Sequence, residues 1–347
     1  MPNFYNIINT IREESDQAYQ DRIPVVTKSN MQDVGYMLTS NEYKAEKNTF
    51  LDALVFKVAF VDVMNRRWKN PLAVLKNGTR PYGGFKEVAH TNPVKGKDFT
   101  EGDGSDLFTT EKPDVKTAYF RRNRQQKYPV SISNAQLRTA FSSPAEFGKM
   151  YQSIINAMYS GDEMDEYLLM RNGLSACIAD GRVKTIGIDY EANPADLIKS
   201  INTISRLFKY ERDDFAGYNQ IHKSEIEAGS TTPCITWTPT ERQVLLIRED
   251  VDVNTDIEVL AKAFNMDKTN FATRKIGIDS FSDSSILCVL ADESFFEFED
   301  EEYTIEDFRN GSNLTTKYFL HHWETIQFNG LANAVAFKQE KAEAATA

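Results

Sequence analysis

Cysteine is scarce in this chain: Cys177, Cys234 and Cys288 are the only three among 347 residues. They are odd in number, far apart and never in a CxxC spacing. That excludes a disulfide scaffold and a thiolate metal cluster, and leaves three reduced, small core residues in a cytoplasmic setting. Histidine is equally sparse, at four residues. Two are adjacent, His321 and His322, but neighbours on a strand point to opposite faces, so one is expected inward and one outward rather than both on a metal. A glycine-rich phosphate loop is missing, because "GTRPYGGFK" lacks the spacing of either nucleotide motif. There is no GxSxG, and no cysteine has a nucleophile signature. Asp250-x-Asp252-x-Asn254 opens like a calcium loop, but Thr255 stands where the loop needs glycine and Ala261 where it needs glutamate. A turn with a helix cap is the expectation there. No run of about 18 apolar residues occurs, so no membrane span is expected. The opening MPNFYNIINTIREESDQ has no basic region followed by an apolar run, so no signal peptide is expected. Without secretion the sequons at Asn77 and Asn313 carry little. No catalytic residue, cofactor or metal is expected, and the chain reads as a non-enzyme.

What is present is charge, placed unevenly. The chain is 41% hydrophobic and 26% charged, the composition of a globular protein of roughly two domains. Residues 66–138 hold 15 Lys and Arg against 7 acids, a local net of +8. Residues 181–347 hold 17 against 29, a net of −12. The basic half peaks in "AYFRRNRQQKYPVSI", residues 118–132, where Arg121, Arg122, Arg124 and Lys127 fall within seven residues with no acid among them. The acidic half peaks in "ADESFFEFEDEEYTIED", with nine acids between Asp292 and Asp307. Such regions attract each other, within one molecule or between molecules.

Apolar spacing divides the chain. Residues 1–45 are polar with scattered anchors (Phe4, Ile7, Ile8, Ile11) and read as an extended or partly helical arm. From Asn48, "NTFLDALVFKVAFVDVMNRRW" carries a helical stripe, with Asn48 or Thr49 as cap. Residues 70–130 are broken by glycine and proline into short pieces, with strands expected at "FKEVAH" and "VKTAYFRRN". That composition builds no core of its own; it fits a two-stranded excursion, which is marginal in water unless it lies on something else. Ser143-Pro144-Ala145-Glu146 forms a capping box, and apolar residues at 147, 150, 151, 154, 155, 158 and 159 mark one helix face. Continued past Gly161 to Ala179, the pattern gives about 36 residues and a rod of roughly 55 Å. Beyond 184, strands and helices alternate. Strands are expected at "VKTIGIDY", in "ITWTPTERQVLLIRED" with its end near Arg248, and within "SSILCVLADESFFEFED". Helices are expected at "NPADLIKSINTISRLF", capped by Asn193, at "NTDIEVLAKAFNM" and at "TIEDFRN". Strands return in "LTTKYFLHHWETIQFNGLANAVAF".

The basic stretch has three readings. It is a sheet edge protected by cations; or it binds single-stranded nucleic acid, with Tyr119, Phe120 and Tyr128 stacking beside arginines over residues 119–128; or it meets the acidic half of a neighbouring copy. A pI near 5.1 weighs against nucleic acid as the main role.

The order of parts, together with "QVLLIREDVDVNTDIEVLAKAFNMDK" (243–268) and "NGLANAVAF" (329–337), resembles the major capsid protein of tailed bacteriophages, and small podovirus head proteins in particular. The resemblance covers nearly the whole chain. It implies an α+β fold with an N-terminal arm (1–45), a helix (46–69), an extended loop (70–130), a peripheral domain with a spine helix (131–184 and 311–347) and an axial domain (185–310). An encapsulin-like cellular shell shares that fold. The implied function is a shell subunit that assembles with itself into pentamers and hexamers around double-stranded DNA without sequence-specific contact. It implies a place in the virion after assembly in the bacterial host cytoplasm, with scaffolding, portal and decoration proteins as further partners and no membrane. With no long N-terminal segment to act as a built-in scaffold, a separate scaffolding protein, or none, is expected. Nothing in the spacing points to self-catalysed Lys–Asn crosslinking. The residues expected at subunit contacts are Arg121, Arg122, Arg124, Lys127, Lys95 and Lys97 on the basic loop. On the acidic surface they are Glu297, Glu299, Asp300, Glu301 and Glu302.

Overall fold

The computed structural model describes residues 4–40, 42–50, 53, 68–81, 83–99, 101, 108, 110–133, 144–253, 275–312 and 315–340. Along the chain come helices α1 (Phe4–Glu14), α2 (Gln17–Arg22) and α3 (Met31–Thr39). Strands β1 (Lys76–Thr79), β2 (Lys86–Thr91), β3 (Val115–Phe120) and β4 (Arg124–Ser133) follow, then the long helix α4 (Pro144–Ala179). Next are β5 (Lys184–Ile188), helix α5 (Pro194–Leu207), β6 (Gln243–Arg248), β7 (Lys275–Ile278) and β8 (Ile286–Asp292). The chain closes with β9 (Phe296–Asn310), β10 (Thr315–Phe328) and β11 (Ala334–Gln339). It divides into two compact units. One comprises Met1–Asn70, Gln125–Glu166 and Glu302–Trp323; the other comprises Pro71–Arg124, Tyr167–Glu301 and Glu324–Ala347. This division cuts across the expected domain boundaries, because α4, β9 and β10 each supply residues to both units.

In the first unit the N-terminal segment is a folded, helical part of the core. Ile8, Ile11, Tyr19, Ile23, Met31, Val34 and Leu38 are buried in one cluster with Ile132, Ile155, Met158, Tyr318 and Leu320. Each such aliphatic side chain contributes about 1.5–3 kcal/mol by leaving water. Polar bonds stitch the turns: Asp16 accepts from the Tyr19 amide, the Arg12 guanidinium donates to the carbonyls of Ile23 and Gln20, and Asn9 and Val26 exchange a bond pair. The scattered anchors thus lie on short helices, whose faces are too brief for a sustained periodicity. The helix expected to start at Asn48 begins earlier, at residue 44, so Asn48 and Thr49 lie inside it. Most of its stripe, together with Ser143 of the capping box, falls outside the described residues. Strand β4, the second part of β9 and the first part of β10 lie in this unit, in a four-stranded sheet of order β1-β9-β10-β4.

The expected helix "TIEDFRN" is instead the end of β9. Thr304, Ile305 and Phe308 suit a strand, and Ile305 packs against the first unit's core, so sheet packing decides. His322 is buried and His321 only half-buried, the alternation expected of a strand, and His322 Nδ1 lies 2.8 Å from Asp162.

In the second unit a five-stranded sheet of order β5-β11-β8-β6-β7 forms the core. Strand β11 runs parallel to β5 and antiparallel to β8; β6 runs antiparallel to β8 and parallel to β7. All seven residues of β8 are buried, as a central strand covered on both faces requires. Val289, Ala291, Val244 and Leu246 pack with Met170, Leu174 and Ile178 of α4. Leu290, Leu245, Ile247 and Phe337 pack with Leu197, Ile201 and Ile204 of α5. Asn193 caps α5 by accepting from the Ala195 amide, with Pro194 at the first position. The three cysteines are free and buried. The helix expected at "NTDIEVLAKAFNM" lies outside the described residues. Of the calcium-like positions that are described, Asp250 pairs with Arg248 and Asp252 with Lys275.

Candidate assembly surface

Strands β2 and β3 form an antiparallel hairpin, from Lys86 opposite Phe120 to Thr91 opposite Val115. Its side chains alternate between half-buried and exposed, and only Phe120 is fully buried. This is the two-stranded excursion expected from the broken composition. Lacking a core, it is held by polar tethers to its own unit. At the outer end Asn92 donates to the Pro233 carbonyl and accepts from the Ile235 amide, and His90 Nε2 lies 2.7 Å from the Ile235 carbonyl oxygen. Asp114 accepts from Asn92 and from the Thr232 hydroxyl. Those bonds hold its carboxyl below the usual range, Thr232 contributing most.

At the root the tethers are ionic, and β9 provides most of their partners. In "FEFEDE" the aromatic and acidic residues alternate. A strand sends alternate residues to opposite faces, so Phe296 and Phe298 enter the core while Glu297, Glu299 and Glu301 share the other face. Lys86 Nζ bonds Glu297 at 2.6 Å and Glu299 at 2.5 Å. Arg80 bonds Glu299 at 2.6 Å and also donates to the Phe120 carbonyl and the Thr325 hydroxyl. Arg122 reaches Glu301 at 3.1 Å, Lys76 reaches Asp300 at 2.7 Å, and Arg124 pairs with Glu324 in full burial. Two glutamates that share Lys86 shift in opposite directions. Burial raises the Glu297 carboxyl above its usual range despite Lys86. Burial also acts on Glu299, but bonds from both Lys86 and Arg80 outweigh it and leave its carboxyl lowered. For Lys86, burial works against the charge, and the two carboxylates overcome it and raise the ammonium.

The expected contact residues therefore separate. Arg122 and Arg124, with Glu297, Glu299, Asp300 and Glu301, are engaged within their own chain. Asn123, between the two arginines, is bonded to β10: its amide donates to the Glu324 carbonyl, and its side chain exchanges a bond pair with Ile326. Arg121, Lys127, Lys95 and Lys97 are exposed, Lys97 in a surface pair with Glu111; Glu302 is half-buried. Lys76, Arg80 and Lys86 were not singled out from sequence, although the two-residue alternation of "FEFEDE" was a signal that cations would line up opposite its glutamates. The aromatic residues of the stretch do not share one face: Phe120 is buried, the Tyr119 hydroxyl donates to Glu87 and that of Tyr128 to Asp165.

Beyond the hairpin the loop between Asn92 and Asp114 displays large apolar side chains to solvent: Val94 is 87% exposed, Phe99 91% and Phe108 92%. These three apolar side chains are left uncovered by their own chain.

The fold is that of tailed-phage capsid proteins. A chain of the Staphylococcus phage Andhra capsid superposes with a TM-score of 0.64 at 12% identity, over 80% of this chain and 86% of that one. A chain from a native bacteriophage P68 structure gives 0.57 at 12% identity, over 79% and 86%. Residues 8–338 match the family model of the Phi29-like phage major capsid protein, and the chain belongs to that family. The major capsid protein of Bacillus phage PZA is 30% identical over 338 residues, 96% of this chain and 72% of the relative; that of Bacillus phage B103 is 31% identical over the same shares. As a member the chain is a structural protein of the virion, and many copies of it build the phage head shell.

Proposed function

We propose that in the head shell the loop of residues 92–114 and its flanking cations lie across a neighbouring copy. The observation that carries this is the uncovered trio Val94, Phe99 and Phe108 on a chain whose work is self-assembly. Exposed Lys95, Lys97, Arg121 and Lys127 meet acidic surface on the neighbour, while Arg122 and Arg124 hold the root of the hairpin in its own subunit. Each exposed ion pair contributes only about 0–1 kcal/mol, so the contact is weak singly and strong when repeated around a closed shell. Weak single contacts also let misplaced subunits leave before closure. Packaged double-stranded DNA lies inside such a shell without sequence-specific contact.

The test reverses Arg121, Lys127 and Lys95 to glutamate together, sparing the internal pairs. Folded subunits that no longer form shells are expected, read by circular dichroism and electron microscopy. Normal shells from this variant would refute the loop-to-neighbour contact. The reading as a single-strand nucleic-acid binder is not favoured, because stacking needs aromatic faces side by side and Phe120 is in the core.

A further inference from the structure

We infer that the loop segment Val94 to Phe99 docks through Phe99 into a specific cavity beside Trp237 of a second copy; the inference rests on the loop-to-neighbour reading above. The second unit contains a cavity of ≈ 380 Å³ walled by Val88, Trp237, Pro239, Leu331 and Ala332. This lies in the range of about 300–1,000 Å³ in which proteins bury ligand groups. Trp237 lines the cavity and is 52% exposed. The polar part of the lining includes Asp292, Glu297 and Arg242. Asp292 lies 3.4 Å from Arg242, and Glu297 is bound by Lys86.

Three observations name the occupant as a second copy of this chain. First, the chain's own loop does not fill the cavity: both loop ends are pinned, at Asn92 and Asp114, to residues 232–235, and Phe99 stays 91% exposed. Second, many copies of this chain build one shell, so the surface that a projecting loop meets there is that of another copy. Third, an apolar projection and an apolar recess on one chain are the two halves of a head-to-tail contact, which closes into rings when its rotation permits. A phenylalanine entering beside an exposed tryptophan is the aromatic anchor on which such interfaces concentrate their energy.

The test places a photoreactive benzoylphenylalanine at Phe99 and irradiates assembled shells. The expected product is a two-chain adduct whose cross-linked peptide carries Trp237 and Pro239, or Leu331 and Ala332. A two-chain adduct at other residues overturns the cavity assignment and leaves the loop-to-neighbour reading standing. An adduct within one chain, or none, overturns both. Should that variant not assemble, hydroxyl-radical footprinting of the unmodified protein serves. Phe99 and Trp237 are expected to lose oxidation together between free subunits and shells, and continued oxidation of either one sinks the assignment. Phe99→Ala is expected to raise the subunit concentration needed for assembly about tenfold or more.

Discussion

The five-stranded sheet and the β2–β3 hairpin belong to one unit of one chain, and they are held by different forces. The sheet buries a strand of seven consecutive residues between two helices, with no ion pair inside that strand's apolar run. The hairpin buries one phenylalanine and is fixed by Lys86, Arg80, Asn92 and Asp114 instead. Apolar burial needs no particular partner and gives a rigid body that is complete by itself. Ionic and amide tethers fix where a hairpin points while leaving its apolar side chains uncovered.

The largest effect that tests this contrast comes from the sheet. Phe337→Ala removes a fully buried ring from β11 and is expected to cost about 3–5 kcal/mol, seen as a fall in the denaturation midpoint of the free subunit. A loss below about 1 kcal/mol would show that the sheet is not the main source of stability. Next comes Arg124→Met at the root. It removes the guanidinium from a fully buried Glu324, which also has Lys76 at 3.2 Å, and is expected to cost about 3 kcal/mol. Leu320→Ala, in the other unit's core, added to it as a control for additivity should give summed losses in chemical denaturation. Asn92→Ala is a smaller and more local change. It strands the Ile235 amide and frees the outer end of the hairpin, at about 1–3 kcal/mol. Hydrogen exchange of the β2–β3 amides should quicken while the global midpoint barely moves; equal shifts in both would mean that hairpin and sheet unfold as one.

Acid acts with opposite sign on one carboxyl of each region. Asp283, at the turn before β8, has its carboxyl lowered from 3.8 to about 2, chiefly by Ser285 and then by Lys338. A lowered carboxyl stabilises the fold above its unfolded value, and that contribution is lost as pH falls from 3.8 toward 2. Glu297 at the hairpin root is raised by burial above 4.5, so its contribution is present below that value and is lost as pH rises through the folded one. Stability followed against pH should therefore flatten below pH 3.8 in Asp283→Asn and just above 4.5 in Glu297→Gln. Identical slopes in variant and parent would remove either assignment. The smallest expected effect is Lys97→Ala, within about 0.5 kcal/mol, because its pair with Glu111 is exposed on both sides.

The sequence by itself determined the regular elements with long, clean periods. The apolar stripe from position 147 gave α4 to its last residue, Ala179; Asn193-Pro194 gave the start of α5; the large apolar residues of "LTTKYFLHHWETIQF" gave β10. These depend on neighbours along the chain, so local spacing suffices. It also determined that 66–138 and the acidic stretch around 292–307 would attract. Only the tertiary structure decided where the attraction is spent. Arg122 and Arg124 turn to their own chain because Asn123 between them is bonded to the Glu324 carbonyl and to Ile326 of β10, a pairing of segments more than two hundred residues apart that no local pattern encodes. The same holds for residues 1–45, whose isolated apolar residues become core only once β4, α4 and β10 surround them, and for residues 304–310, where the sheet overrode a helix-like pattern. Local chemistry fixes the pieces, and long-range packing, which alone removes charge and hydrocarbon from water together, fixes what remains free to meet another subunit.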